Sequence, residues 1–278
     1  MARTAFITGS STGFGKATAV AFGDAGWNVV ATMRNPRDWD REPSDRLLPI
    51  ALDVTEPMSI RSAFEAGVAA FGRVDAVVNI AGIAAFSVFE TTPDKAVRLL
   101  FETNLFGPLE LMRVAIPHLR EHGGGHIVNL TSASSIVPEP LMAAYNASKA
   151  ALDNFSETVR LELAPQNIEV KIIEPGFVPT TALVPKLYAS APTLDIPAAY
   201  AAYVQQRMGF FAQLAAEPPV PLPTAEDVAQ TILASVNDDA RRLRWVVGED
   251  QNERMRMKWS TSEPEYTAWS WREFGPAT

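Results

Sequence analysis

Short runs of Val, Ile, Leu and Ala recur through the first two thirds of the chain, at residues 4–8, 28–32, 48–52, 76–79, 126–130 and 169–173. They do not alternate strictly between apolar and polar, which is the pattern of strands buried on both faces. Between them, apolar residues at helical spacing predict helices over residues 15–25, 59–71, 94–120 and 145–163. A seventh strand is predicted at residues 244–247. Strands alternating with helices imply an α/β fold, a doubly wound (Rossmann) parallel sheet with helices on both faces in three αβα layers. Residues 1–278 are expected to form a single domain of this kind.

Two segments interrupt the pattern. Residues 175–223 hold nine of the 21 prolines, with apolar residues between them. A stretch of this length within a compact domain reads as a binding segment, so residues 177–223 are expected to form a substrate lid with a helix over 198–215. A helix resumes at Thr224, which has an acid, Asp227, three residues on, a shorter one than a capping box prefers. The tail at 251–278 carries Trp259, Trp269 and Trp271, half of the tryptophans. Such a surface is costly in water; the tail packs either on its own domain or on another subunit.

Composition narrows the partners. The net charge of −8 argues against nucleic acid and anionic membranes. No run of about 18 apolar residues is present, so no membrane span is expected. The first residues contain no charged-then-apolar leader, and a cytoplasmic protein is expected. With no cysteine, thiol nucleophiles and cysteine metal sites are excluded. His118, His122 and His126 are spaced by four, but the first two end a helix, where imidazolium suits the dipole, and no metal is expected.

The run Ile7–Gly15 reads ITGSSTGFG and joins the first strand to the first helix. A pyrophosphate must approach backbone N–H groups at a helix N-terminus, and Gly9, Gly13 and Gly15 leave room for it. Ser11, Thr12 and Phe14 lie between those glycines and are expected contacts. A phosphate loop of the G-x-x-x-x-G-K-[ST] kind does not fit, because Ala17 follows Lys16 and position 10 is Ser. The second strand ends Ala31-Thr32-Met33-Arg34. An NAD site usually places an acid there. Met33 followed by Arg34 instead favours a 2′-phosphate, and so NADP(H) over NAD(H), with Arg37 as a candidate second contact.

Tyr145 and Lys149 lie four apart at the start of a predicted helix, on one face. An ammonium beside a phenol lowers its pKa toward neutrality, which suits Tyr145 to proton transfer. The pair alone also describes an ordinary exposed helix. Its weight comes from Thr131-Ser132, which end the preceding strand on the edge where such sheets bind ligands. Ser132 can donate to a substrate oxygen beside Tyr145.

Together these residues resemble the short-chain dehydrogenase/reductase family, in its short single-domain branch, in order from Thr8 to about Thr180. By that resemblance Asp53, in Leu52-Asp53-Val54-Thr55, contacts adenine with Val54 beside it. Asn79-Ile80-Ala81-Gly82 is similar to the motif that steadies the central sheet near the adenosine ribose, with Ile80 a mild departure. Asn104 is implied to hold a relay water, and Ser132, Tyr145 and Lys149 to form the active site. Pro175, Gly176, Val178 and Thr180 are implied to meet the nicotinamide end, and Lys149 and Tyr145 its ribose. The implied reaction is hydride transfer between cofactor and a carbonyl or carbinol carbon. The resemblance further implies a homodimer or homotetramer, formed through the helices at 94–120 and 145–163. Its last third leans toward the hydroxysteroid- and retinol-dehydrogenase-like members.

Phe86, Phe89, Leu141, Met142, Phe177, Leu183, Leu187, Tyr188, Tyr203, Phe210 and Phe211 are expected walls for an apolar small-molecule carbonyl or alcohol substrate, a bulky one rather than a sugar. Two other functions share this fold: a non-catalytic dinucleotide sensor, and an epimerase or dehydratase using transient oxidation. Sensors commonly lose the tyrosine or the lysine. The other enzymes usually carry a larger C-terminal domain than the roughly 55 residues after Thr224.

Overall fold

The computed structural model describes residues 2–40, 44–179 and 196–276. Seven strands form one sheet: β1 (Thr4–Ile7), β2 (Asn28–Met33), β3 (Leu47–Ala51), β4 (Ala76–Asn79), β5 (Gly125–Leu130), β6 (Ile168–Pro175) and β7 (Arg244–Val247). Their order is β3-β2-β1-β4-β5-β6-β7, and every pair is parallel. The central strands β1 and β4 are buried at every position, as their unbroken apolar runs require.

Helices cover both faces. On one, α1 (Gly13–Asp24) and a later helix, Ala225–Ser235, pack Phe22 and Ile232 against Val29 and Val78. On the other, α2 (Pro57–Phe71), α4 (Gly107–Glu121) and α5 (Ala143–Leu163) bury Ile60, Leu111 and Leu152 against the sheet. This is the expected three-layer αβα arrangement.

The stretch predicted as one helix over 94–120 is interrupted. It comprises α3 (Asp94–Phe101), a π-helical turn at Glu102–Phe106, and α4. The extra residue in the turn places Asn104 against the loop after β4, where its side chain bonds both backbone polar groups of Ile83.

After β6, α6 (Ala198–Ala216) forms close to the expected span. The later helix already noted is α7, and Thr224 and Asp227 make a complete capping box at its start. The tail forms α8 (Glu249–Ser260) and α9 (Glu263–Phe274). It packs on its own chain, because Phe274 is buried and its carbonyl accepts from the Tyr203 hydroxyl at 2.5 Å. Trp259 and Trp271 nevertheless remain 55% and 68% exposed. Among the described residues, no helix is long and apolar enough to cross a membrane.

Candidate active site

In a sheet of this order the chain reverses direction between β1 and β4, which opens a crevice at their C-terminal ends. Thr8 braces the crevice: its Oγ1 accepts from the backbone N–H groups of Ile80 and Ala81 at 2.9 and 3.0 Å. Gly9 has φ +73°, and a Cβ there would lie 2.9 Å from the Ala81 Cα. A Cβ on Gly15 would lie 2.2 Å from the Gly9 carbonyl oxygen, so the loop folds tightly on itself only with glycine at both places. Thr12, the N-cap of α1, makes no side-chain cap bond, and the first turn holds no acid. Backbone donors and the positive helix end therefore face outward, as an anion requires. This cradle fits a pyrophosphate.

A cavity of about 520 Å³ runs from this loop along the sheet edge. Gly9, Ser11, Thr12, Gly13, Phe14 and Gly15 line one stretch of it. Arg34, Asp53, Val54, Ala81 and Gly82 line the adjoining part, as does the buried Met33. Arg37 is not on the wall; it belongs to a short 3₁₀ turn capped by Asn35. Asp53 accepts from the Thr55 N–H and hydroxyl at 2.9 and 2.7 Å. The backbone bond chiefly, with the hydroxyl bond and Arg34 adding, holds its carboxyl below the usual carboxylate value. Asn79 is not on the wall. Its amide donates to Asn129 at 2.8 Å, and Asn129 donates to Ser156, tying β4 to β5 and α5.

Farther along stand Ser132, Tyr145, Lys149, Pro175, Gly176 and Val178. Ser132 follows β5 as the cap of a 3₁₀ turn and accepts from Ser134. Tyr145 is buried in the first turn of α5. Burial raises its phenol above the usual value, and a hydrogen bond with Ser132 opposes this. The Lys149 Nζ donates to the Leu130 carbonyl at 2.7 Å, and burial pulls its pKa from 10.5 down to about 8. Asn104 stands behind Gly82 and donates to Ser148 at 3.0 Å. A Cβ on Gly82 would lie 3.2 Å from Asn104 Oδ1 and 3.5 Å from Lys149 Nζ, so this glycine lets the two groups approach each other.

Much of the remaining wall is apolar, with Phe86, Met142, Phe177, Phe210 and Phe211 on it as expected. Phe89 is 68% exposed and off the wall. Leu141 and Tyr203 are also off it; Leu141 has φ +63° and packs on the cluster around Phe86. Thr180, Leu183, Leu187 and Tyr188 lie outside the described residues. Glu139, Gln251 and Arg254 also line the cavity, and sequence reasoning missed them. Nothing local marks them, since a glutamate between prolines and polar residues three apart on a helix are ordinary surface features. His118 differs from expectation. Its Nε2 accepts from the Val74 N–H at 3.0 Å, and burial lowers its pKa, so it acts as a neutral imidazole. No cluster of metal-ligating residues occurs among the described residues.

The sequence model of the short chain dehydrogenases matches residues 3–190. An uncharacterized oxidoreductase of Bacillus subtilis, YusZ, is 33% identical over 257 residues, 89% of each chain. A 3-ketodihydrosphingosine reductase of Bacteroides thetaiotaomicron is 33% identical over 170 residues, 61% of this chain and 62% of that one. The crystal structure of a short-chain dehydrogenase from Streptomyces avermitilis superposes with a TM-score of 0.82 at 31% identity, covering 100% of this chain and 99% of that one.

Proposed function

Since the chain belongs to the short-chain dehydrogenase family, we propose that it is an NADP(H)-dependent oxidoreductase interconverting an apolar ketone or aldehyde and the corresponding alcohol. The observation that carries this reading is the placement of buried Tyr145 beside Ser132 on the cavity wall, one helical turn before Lys149. The glycine loop would hold the pyrophosphate, Asp53 and Val54 the adenine, and Ala81 and Gly82 the adjoining ribose. Arg34 would pair with the 2′-phosphate, with no acid at Met33 to repel it. Lys149 and Tyr145 would hold the second ribose, with Pro175, Gly176 and Val178 against the nicotinamide; Thr180 is proposed on resemblance alone. The bound nicotinamide supplies or accepts the hydride.

The chain's own residues manage the oxygen. Ser132 donates to the substrate oxygen and holds it beside the Tyr145 hydroxyl. Tyr145 gives its proton to that oxygen in reduction and takes it back in oxidation. Asn104 and Lys149, close together behind Gly82, support return of the proton. Reduction is the favoured direction with an NADP(H) pool. The aromatic wall supports a bulky apolar substrate, and the relative named for a keto compound supports a carbonyl. Phe106 after α3 and Leu161 on α5 are 49% and 65% exposed, which supports a homodimer or homotetramer through these helices. The absence of cysteine suits a cytoplasmic setting.

The test is Tyr145→Phe, assayed with NADPH and a panel of carbonyl compounds by nicotinamide absorbance. Turnover is expected to fall by about 10²–10⁴, with NADPH affinity weakened by no more than about tenfold, the loss of one ribose hydrogen bond. A variant that turns over at the wild-type rate refutes the mechanism.

A further inference from the structure

Arg207 faces inward from α6 and is 2% exposed, which a guanidinium tolerates only with partners. It donates from Nη2 to Glu139 Oε1 at 2.5 Å and from Nη1 to the Glu273 carbonyl at 3.3 Å, and its charge lies 4.5 Å from the Phe210 ring centroid. Glu139 Oε2 accepts from Arg254 of α8 at 3.4 Å, and Arg254 reaches the Glu273 carboxylate of α9 at 3.3 Å. Glu139 is anchored in turn, because its carbonyl accepts from Asn146, the residue after Tyr145, at 2.7 Å. The Glu139 carboxylate therefore ties the segment leading into Tyr145 to α6 and α8, and its two arginines extend the tie to α9. Glu139, Arg254, Phe210 and Phe211 all line the cavity.

We propose that Glu139, Arg207 and Arg254 form a buried clasp that closes α6 and the C-terminal helices into one wall of the substrate pocket, and so set its grip on bulky substrates. The three are positioning residues. The inference rests on reading the apolar part of the cavity as the substrate pocket. It gives the tail a role: α8 and α9 complete the pocket from behind α6. Removing Arg207 leaves the buried Glu139 with only its longer contact to Arg254, and removing Glu139 leaves the buried Arg207 without a carboxylate, whereas replacing both with apolar groups removes most of the penalty. The wall should therefore open in a single variant and close again in the double.

The experiment compares wild type, Arg207→Met, Glu139→Leu and the double variant in two ways. Amide hydrogen exchange over residues 198–216 and 263–274 reads the clasp without reference to activity. Steady-state kinetics with NADPH, using 2-decanone as the bulky substrate and propanal as the small one, reads its use. Each single variant is expected to speed exchange in both helices by at least about tenfold. It should also raise KM for 2-decanone by about tenfold, while in Arg207→Met, whose side chain is off the cavity wall, kcat for propanal changes by less than about twofold, and the double variant should recover exchange and the 2-decanone KM to within about threefold. Unchanged exchange in the single variants overturns the clasp, as does a double variant no better than the singles. Equal KM shifts for the two substrates overturn its role in the pocket. If wild type turns over no carbonyl compound, the oxidoreductase reading fails, while the exchange comparison still decides the clasp.

Discussion

Replacing Lys149 with methionine should make the cofactor-free protein more stable at neutral pH, and the gain should reverse in alkali. The side chain is 4% exposed, and its pKa falls from 10.5 to about 8 because burial disfavours the ammonium. That drop corresponds to about 3 kcal/mol of destabilisation wherever both folded and unfolded chains carry the proton, that is, below pH 8. Between pH 8 and 10.5 the folded chain releases its proton first, the unfolded chain holds more protons, and wild-type stability rises with pH. Methionine abolishes this titration. It also leaves the Leu130 carbonyl without its donor, at a cost of about 1–2 kcal/mol at any pH. The substitution Lys149→Met is thus worth about 1–2 kcal/mol at pH 7, and the two proteins should become equally stable between about pH 9 and 10. Urea unfolding of both proteins from pH 6.5 to 10.5 measures the difference, in which the titrations they share cancel. A difference independent of pH, or one that grows in favour of methionine as pH rises, refutes the burial argument. The same substitution should abolish turnover, so Lys149 would be a group kept for chemistry at a cost in stability.

Two further substitutions probe the dinucleotide end. Gly15→Ala puts a Cβ within 2.2 Å of the Gly9 carbonyl oxygen, and the shifted loop should weaken NADPH binding at least about tenfold, or ~1.4 kcal/mol, by fluorescence titration; unchanged affinity would mean that the loop does not hold the pyrophosphate. Arg34→Asp removes a charge-assisted pair and adds repulsion, so the ratio of kcat/KM for NADPH to that for NADH should fall by about 10². A ratio that stays put would remove Arg34 from the 2′-phosphate site.

The sheet was legible almost residue by residue. Strands buried on both faces need continuous apolar runs, and the predicted spans 76–79 and 244–247 coincide with β4 and β7. The tight glycine loop after β1 was legible for a related reason, since Gly9 and Gly15 answer local steric demands. The interruption at Asn104 was not, because a π turn inserts one residue without changing the composition of the helix around it. Arg207 was hidden in the same way. Its position on α6 shows nothing of a carboxylate 68 residues earlier in the chain, and only the tertiary fold reveals that it points inward. The aromatic wall was legible as a set but not residue by residue, because apolar character does not say which face of a loop turns to a cavity. Phe86 lines the cavity, whereas Phe89, three residues later, does not.

The winding of the sheet also separates two kinds of inheritance. On the proposed assignment, the part of the cavity that chooses the dinucleotide is built from the first 55 residues together with Ile80–Gly82. The part that shapes the substrate pocket is drawn from Ile83 onward and reaches as far as Arg254. Mutations in one stretch of the gene therefore leave the other end of the cavity largely untouched. A lineage built this way is free to change its reductant and its substrate on separate occasions, with the segment from Leu130 to Lys149 as the common ground that neither change can easily disturb.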